Sequence, residues 1–362
     1  MKRLVSPFAL LLILSVLSLG WRATPADRMV YPISMTLADN RLYVSGGHSG
    51  LHVYDVTDPA APGKVIHIPL DFNASTAVKD DIVYANDGGQ LQAIRISGDS
   101  YTVVAKIGVK LQFHDVPSPG VDDESFSCMC TTNTFDAASV SPPATASSFS
   151  AFALVDDRLY RADDNGSIIV YDVSVPDTLT LVSDVPVGWD IETLHPSGEL
   201  LFVGGFNGMY IFDREDPDHP RQLSKIQHVR ACDPVVVSGS TAYVTLRGGN
   251  ACGLSPDELL CVSIADPGKP EVVGEKPLNT PYGLAAQNAR VYVSHGIGGY
   301  SLVDASDPAN VTIEKTWSGA LTRDFIWSGN TLFVLTDDNV NIYDVADPLA
   351  PKLLSQVQGP SS

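Results

Sequence analysis

One phrase returns seven times along this chain, and that repetition constrains the fold more than any other feature. It is a short apolar strand with a central aromatic. It reads Arg41-Leu-Tyr-Val-Ser45, Ile82-Val-Tyr84, Arg158-Leu-Tyr160, Leu201-Phe-Val203, Ala242-Tyr-Val244, Val291-Tyr-Val293 and Leu332-Phe-Val334. The aromatic positions 43, 84, 160, 202, 243, 292 and 333 are spaced by 41, 76, 42, 41, 49 and 41 residues. The unit is therefore about 41 residues, with one long and one shorter insertion. A second phrase follows five of these: Leu51-His-Val-Tyr-Asp55 running on to Asp58-Pro59, then Ile168 to Ser174, Met209 to Asp213, Tyr300 to Asp304, and Val340 to Pro348, with degenerate copies at Leu91–Ile96 and Leu259–Pro267.

Each unit reads as four short strands. A Val/Ala-rich strand ends in a polar turn. The aromatic strand comes next, then the strand ending in Asp, then a strand after a Pro-containing turn. The two middle strands are apolar on both faces, as in a sheet covered on both sides. Seven units of four strands predict an all-β chain, a seven-bladed β-propeller of four-stranded antiparallel blades. A length of 362 residues would otherwise suggest two domains at roughly 150 residues each. The repeat makes it one ring, expected over residues 28–358. The insertions fall at 113–148, between blades two and three, and at 248–258, in blade five. Blade two carries Arg95 and Ser97-Gly-Asp99 where Asp and Asp-Pro are expected, which predicts a looser edge there.

The phrase Leu-x-Val-Tyr-Asp-Val-x-Asp-Pro resembles the LVIVD-repeat family of extracytoplasmic propellers. The stretch from Arg230 through Cys232 and Asp233, then Ala242 to Arg247, then Cys252, is similar to a well-marked blade of that family. The resemblance spans most of residues 30–358. It implies the fold and an exported location, and it is nearly silent on activity.

The first twenty residues fit an export address. Lys2 and Arg3 precede an apolar run from Phe8 to Leu19, and small residues Ser18 and Gly20 sit before a possible cut at Trp21. The run is short for a membrane span, which needs about 20 apolar residues. The expected location is therefore secreted, periplasmic or cell surface, in a compartment that permits disulfides. A count of 23 basic against 42 acidic residues argues against a nucleic-acid partner.

Asp55, Asp172, Asp213, Asp304 and Asp344 end the third strand of their units. Each is read as a turn former, since Asp accepts bonds from nearby main-chain N–H groups. Pro59, Pro217, Pro267, Pro308 and Pro348 then stop the strand by removing a donor. The alternative use of these carboxylates, calcium binding, would need six to eight oxygens from a local loop. These segments lack such a run, and no metal or cofactor site is read from the sequence.

With strands a to d counted from axis to rim, the d–a connections and b–c loops emerge on one face. Both insertions decorate that face. Cys232 and Cys252 are both placed there, which predicts a disulfide between them. It would close a loop worth roughly 3 kcal/mol. Cys261 occupies the strand-c position of Val53 and is read as a buried free thiol. Cys128 and Cys130 form a Cys-x-Cys pair in the long insertion, with no role assigned.

The same face should hold an axial mouth. Trp189, Asp190, Arg230, Asp233, Arg247, Tyr282, His295, Arg323 and Asp324 are the candidate ligand-binding residues, with Asn73 and His48 beside them. The arginines suit a carboxylate or sulfate, held by a planar fork. The plainer alternative is that Arg230 pairs with Asp233, and Arg323 with Asp324, around a water-filled channel. The function expected is a non-catalytic, monomeric binding platform for a protein, glycan or small ligand. The alternative is a hydrolase or lactonase-like enzyme with a metal or polar site at the mouth. Gly-x-Ser-x-Gly and His-Glu-x-x-His are both missing from the sequence, so no catalytic residue is named.

Overall fold

The computed structural model describes residues 29, 32–108, 144–163, 165–188, 191–227, 234–248, 256–319 and 321–358. They form seven antiparallel blades. Strands a, b, c and d are Ser34–Ala38, Arg41–Ser45, Leu51–Asp55 and Gly63–Ile68 in blade one, and Thr76–Lys79, Ile82–Asp87, Gln90–Ser97 and Ser100–Gly108 in blade two. Blade three is Phe152–Val155, Arg158–Asp163, Ser167–Asp172 and Thr180–Pro186. Blade four is Ile191–Ser197, Leu200–Gly205, Gly208–Asp213 and Arg221–Gln227. Blade five is Val235–Ser238, Thr241–Leu246, Glu258–Ser263 and Glu271–Pro277. Blade six is Leu284–Gln287, Arg290–Ser294, Tyr300–Asp304 and Thr312–Trp317, and blade seven is Asp324–Ser328, Thr331–Leu335, Asn339–Asp344 and Lys352–Gln358. Adjacent a strands touch all the way round, including blade seven against blade one. The chain is a seven-bladed β-propeller, and each blade is continuous in sequence.

The repeated aromatic has one job in every copy: it fills the seam between its own blade and the next. Tyr43, Tyr84, Tyr160, Phe202, Tyr243, Tyr292 and Phe333 lie in seven separate apolar clusters, one per seam. None is more than 3% exposed. Burying one such ring contributes roughly 1.5–3 kcal/mol, so a ring of seven supplies much of the inter-blade cohesion.

The Asp residues act as turn formers. Thr57 N–H donates to Asp55 at 2.8 Å, Ser174 to Asp172 at 2.8 Å, Glu215 to Asp213 at 2.9 Å, Ser306 to Asp304 at 2.8 Å and Ala346 to Asp344 at 2.9 Å. These hydrogen bonds hold the carboxyls of Asp55, Asp172, Asp213 and Asp304 below the usual range.

The prolines do more than stop a strand. Their carbonyls face the preceding blade. Pro59 O accepts from Ser355 Oγ at 2.5 Å, Pro217 O from Tyr160 at 3.0 Å, Pro267 O from Ser224 Oγ at 2.6 Å and Pro348 O from Tyr292 at 2.7 Å. At the fifth such seam, a Cβ on Gly274 would lie 1.6 Å from Pro308 O, so only glycine fits the strand there. Ser355, Ser224 and Gly274 hold the same register position, immediately after the residue that strand d inserts as a bulge.

Blade two corrects the expectation of a loose edge. Its c and d strands pair from Gln90–Gly108 to Ser97–Ser100, the longest hairpin in the ring. Arg95, standing where five other blades have Asp and blade five has Ser263, reaches Asp81 at 3.0 Å and Asp177 of blade three at 2.5 Å.

Candidate functional site

A segment of the chain lies at the axis, where a water-filled channel was considered from the sequence. Thr145–Ala146, at the end of the expected insertion, forms a short strand against the inner edge of blade one, pairing Thr145 with Leu37 and Ala146 with Thr36. Ser147 N–H donates to Met35 O at 2.8 Å, and Met35 N–H donates to Ser147 Oγ at 3.0 Å. Ser147, Ser148 and Ser150 are fully buried. The sequence reading missed this segment. Its only signal was a run of small residues, Ala144 to Ser148, leading into Phe149; residues of that size let main chains approach closely.

Asp324, a candidate from the sequence, lies inside this packing and is fully buried. Ser148 Oγ donates to its Oδ1 at 2.6 Å, Phe149 N–H to its Oδ2 at 3.0 Å and its neighbour Phe325 N–H to Oδ1 at 2.8 Å. Burial pushes its carboxyl up to about 7, with the hydrogen bonds opposing only in part. A Cβ on Gly283 would sit 2.2 Å from Asp324 Oδ1, so the neighbouring blade leaves room for the carboxylate by using glycine.

Arg323 does not pair with Asp324. Its Nε and Nη2 both reach Asp337 Oδ1, at 2.8 and 2.5 Å, in the b–c loop of its own blade. His295 also turns away from the axis. Its Nδ1 bonds Asn279 O at 2.9 Å and its Nε2 bonds Ser301 Oγ at 2.8 Å; burial lowers its basicity. Asn73 is fully buried, with Nδ2 donating to Ser45 Oγ at 3.2 Å, so it does not line a mouth. His48 bonds Asp71 O at 2.7 Å and packs edge-on against Phe72. His195 is fully buried; its Nε2 accepts from Val237 N–H at 3.2 Å, and desolvation drops its pKa to about 3.

Arg247 and Tyr282 do come together. The guanidinium carbon lies 4.0 Å from the ring centroid, and Thr245 Oγ1 donates to Tyr282 O at 2.7 Å. Asp257 anchors the base of this corner, accepting from Gly248 N–H at 2.9 Å and Thr280 N–H at 3.0 Å. Beside it rises the b–c loop of blade six, pinned by His295 N–H to Gly299 O at 2.8 Å and by the Gly296–Thr322 bridge. Its tip, Ile297, is 85% exposed. Trp189, Asp190, Arg230, Asp233, Cys232, Cys252, Cys128 and Cys130 lie outside the described residues. Cys261 is fully buried and free, with burial pushing its thiol up to about 12. Among the described residues, no group of three or more His, Cys, Asp or Glu is placed to hold a metal ion.

The arrangement offers a rigid face with an apolar tip and a stacked Arg–Tyr corner. Among the described residues, Asp324, His295 and His195 are engaged inside blades or at the axis.

Compared by sequence, the chain matches no protein-family profile and no curated protein. Its structure is similar to several propellers. A protein from Lactobacillus plantarum is 15% identical, with TM-score 0.59, covering 91% of this chain and 97% of that one. BamB from Moraxella catarrhalis is 9% identical, with TM-score 0.56, covering 82% and 79%. Sqt1 from Saccharomyces cerevisiae is 9% identical, with TM-score 0.57, covering 92% and 86%. At these identities the likeness speaks to the fold alone. No helix among the described residues is long and apolar enough to cross a membrane.

Proposed function

We propose that this chain is an exported, non-catalytic propeller of the LVIVD-repeat type, presenting its d–a/b–c face as a binding platform for a protein, glycan or small ligand. The observation that carries the reading is Ile297. This isoleucine is 85% exposed at the tip of a loop closed by main-chain bonds, which supports an apolar contact at that point of the face. The Arg247–Tyr282 stack at the neighbouring blade adds an aromatic and a cation, residue types that dominate binding hot spots. Export rests on Lys2, Arg3 and the apolar run that follows.

The test uses the full mature chain, immobilised and exposed to a glycan array and to extracellular-matrix and envelope fractions of the source organism. A retained component should bind at least tenfold more weakly to Ile297→Asp and Arg247→Ala, and equally well to the opposite-face control Asp216→Ala. Loss of binding only in the control places the platform on the other face and overturns the reading. Stoichiometric metal in the native mass spectrum, with hydrolytic turnover, would favour the hydrolase or lactonase alternative.

A further inference from the structure

Six of the seven seams are crossed by the chain itself, each time through a d–a connection. The seam between blades seven and one is not. Among the described residues no strand is shared there: blade one runs from Ser34 and blade seven ends at Gln358. What the two blades exchange directly is a side-chain seam. Met29, Met35, Tyr54 and Val56 pack on Ile326, Phe333, Ile342 and Val357. Ser355 Oγ reaches Pro59 O at 2.5 Å, and Tyr54 OH reaches Gln358 O at 3.3 Å.

The axial segment spans this same seam. Thr145, Ala146 and Ser147 hold the a strand of blade one through main-chain pairing and the two Met35–Ser147 bonds. The next two residues hold blade seven, Ser148 through its hydroxyl and Phe149 through its N–H, both on Asp324. Ser148 Oγ meanwhile accepts from Leu284 N–H of blade six at 2.8 Å. After that, Ser150 O takes Leu194 N–H of blade four at 3.3 Å and Ala151 N–H gives to Ser75 Oγ of blade two at 3.1 Å. The grip changes from blade one to blade seven between Ser147 and Ser148, adjacent residues on a segment that belongs covalently to blade three. The side-chain bonds to Met35, Asp324 and Leu284 are buried, where an unmade donor or acceptor is costly.

We propose that Thr145–Phe149 is the closure element of this ring: an axial clip that joins blade one to blade seven and does the work that a strand shared between the two termini would do. The clip adds hydrogen bonds at the inner strands, complementing the Ser355–Pro59 and Tyr54–Gln358 bonds further out in the seam. It also explains why a fully buried carboxylate is kept at position 324, where an apolar residue would pack without desolvation cost: Asp324 supplies the two acceptor oxygens that Ser148 and Phe149 need.

The test is hydrogen exchange measured by mass spectrometry on the full chain. In Ser148→Ala, exchange should speed up at least fivefold in Asp324–Ser328 and also in Ser34–Ala38, which Ser148 does not touch. Val235–Leu246, across the ring, should stay within twofold of the parent. Replacing residues 144–149 by a Gly/Ser stretch of equal length should extend the effect to Lys352–Gln358 and exceed tenfold. A rise confined to Asp324–Ser328, or spread evenly over all blades, overturns the proposal. Should the replacement give no folded protein, the Ser148→Ala pattern decides alone. Ser183→Ala, which removes a rim bond between blades three and four, serves as the control and should leave Ser34–Ala38 unchanged.

Discussion

Ser148 donates its hydroxyl hydrogen to Asp324 across 2.6 Å, joining two residues 176 positions apart at the centre of the ring. The contact joins two main-chain N–H donors on a carboxylate with no solvent access, and no cation is among the groups that set its titration. Its consequences are measurable.

The first concerns pH. Burial raises the Asp324 carboxyl from 3.8 to about 7. Between those values the folded protein holds the proton and the unfolded chain releases it, so stability contributed by this group falls as pH rises from about 4 towards 7. The upper figure is about 4 kcal/mol. Asp324→Asn cannot titrate. Thermal melts from pH 4.5 to 8 should show the parent losing stability relative to Asp324→Asn across that window. Parallel curves for the two proteins would refute the assignment. Below pH 4 both should weaken together, because Asp55, Asp172, Asp213 and Asp304, held low by their turn bonds, become protonated.

A second prediction addresses the seams. Gly274→Ala forces a Cβ against Pro308 O and should cost about 1–3 kcal/mol. Ser355→Ala loses one hydrogen bond to Pro59 O and should cost about 1 kcal/mol. Urea denaturation with an unchanged m value checks both. Equal effects would mean that the glycine is not dictated by the close approach.

Tyr292 separates packing from hydrogen bonding. Tyr292→Phe keeps the ring among Tyr300, Trp317, Phe325 and Trp327 and loses only the bond to Pro348 O, about 1 kcal/mol. Tyr292→Ala opens the seam and should cost about 3–5 kcal/mol. Chemical denaturation of the two variants gives the ratio.

Thiol chemistry offers a fourth check. Cys261, buried and with its thiol pushed up to about 12, should resist alkylation at pH 8 and react only after denaturation. The same non-reduced peptide map reads Cys232 and Cys252. Alkylation of native Cys232 would remove the disulfide expected from their shared face.

Asn73-Ala-Ser, Asn165-Gly-Ser and Asn310-Val-Thr each match a glycosylation acceptor, and they diverge in the fold. Asn73 is fully buried, whereas Asn165 and Asn310 are exposed. Expressed through a glycosylating secretory host, the chain should carry glycan at Asn310 or Asn165 and none at Asn73. Glycan on Asn73 in folded protein would contradict the packing around Ser45.

What the sequence determined was everything that repeats. The aromatic at 43, 84, 160, 202, 243, 292 and 333 and the Asp that ends strand c are local signals, because each works within one blade or against its neighbour. Period and pattern therefore sufficed for seven four-stranded blades. The features that occur once needed the tertiary structure. Arg323 and Asp324 are adjacent, and adjacent residues entering a strand point to opposite faces; one meets Asp337 and the other meets Ser148. His295 looked like a mouth residue until Asn279 and Ser301 were seen to hold its ring. The segment at Ala144–Ser150 carries no apolar period at all, since its role is set by main-chain bonds to strands far away in sequence. Only closing the ring brings Met35, Asp324, Leu284, Leu194 and Ser75 around one short stretch of chain, and that convergence is a property of the circle rather than of any blade.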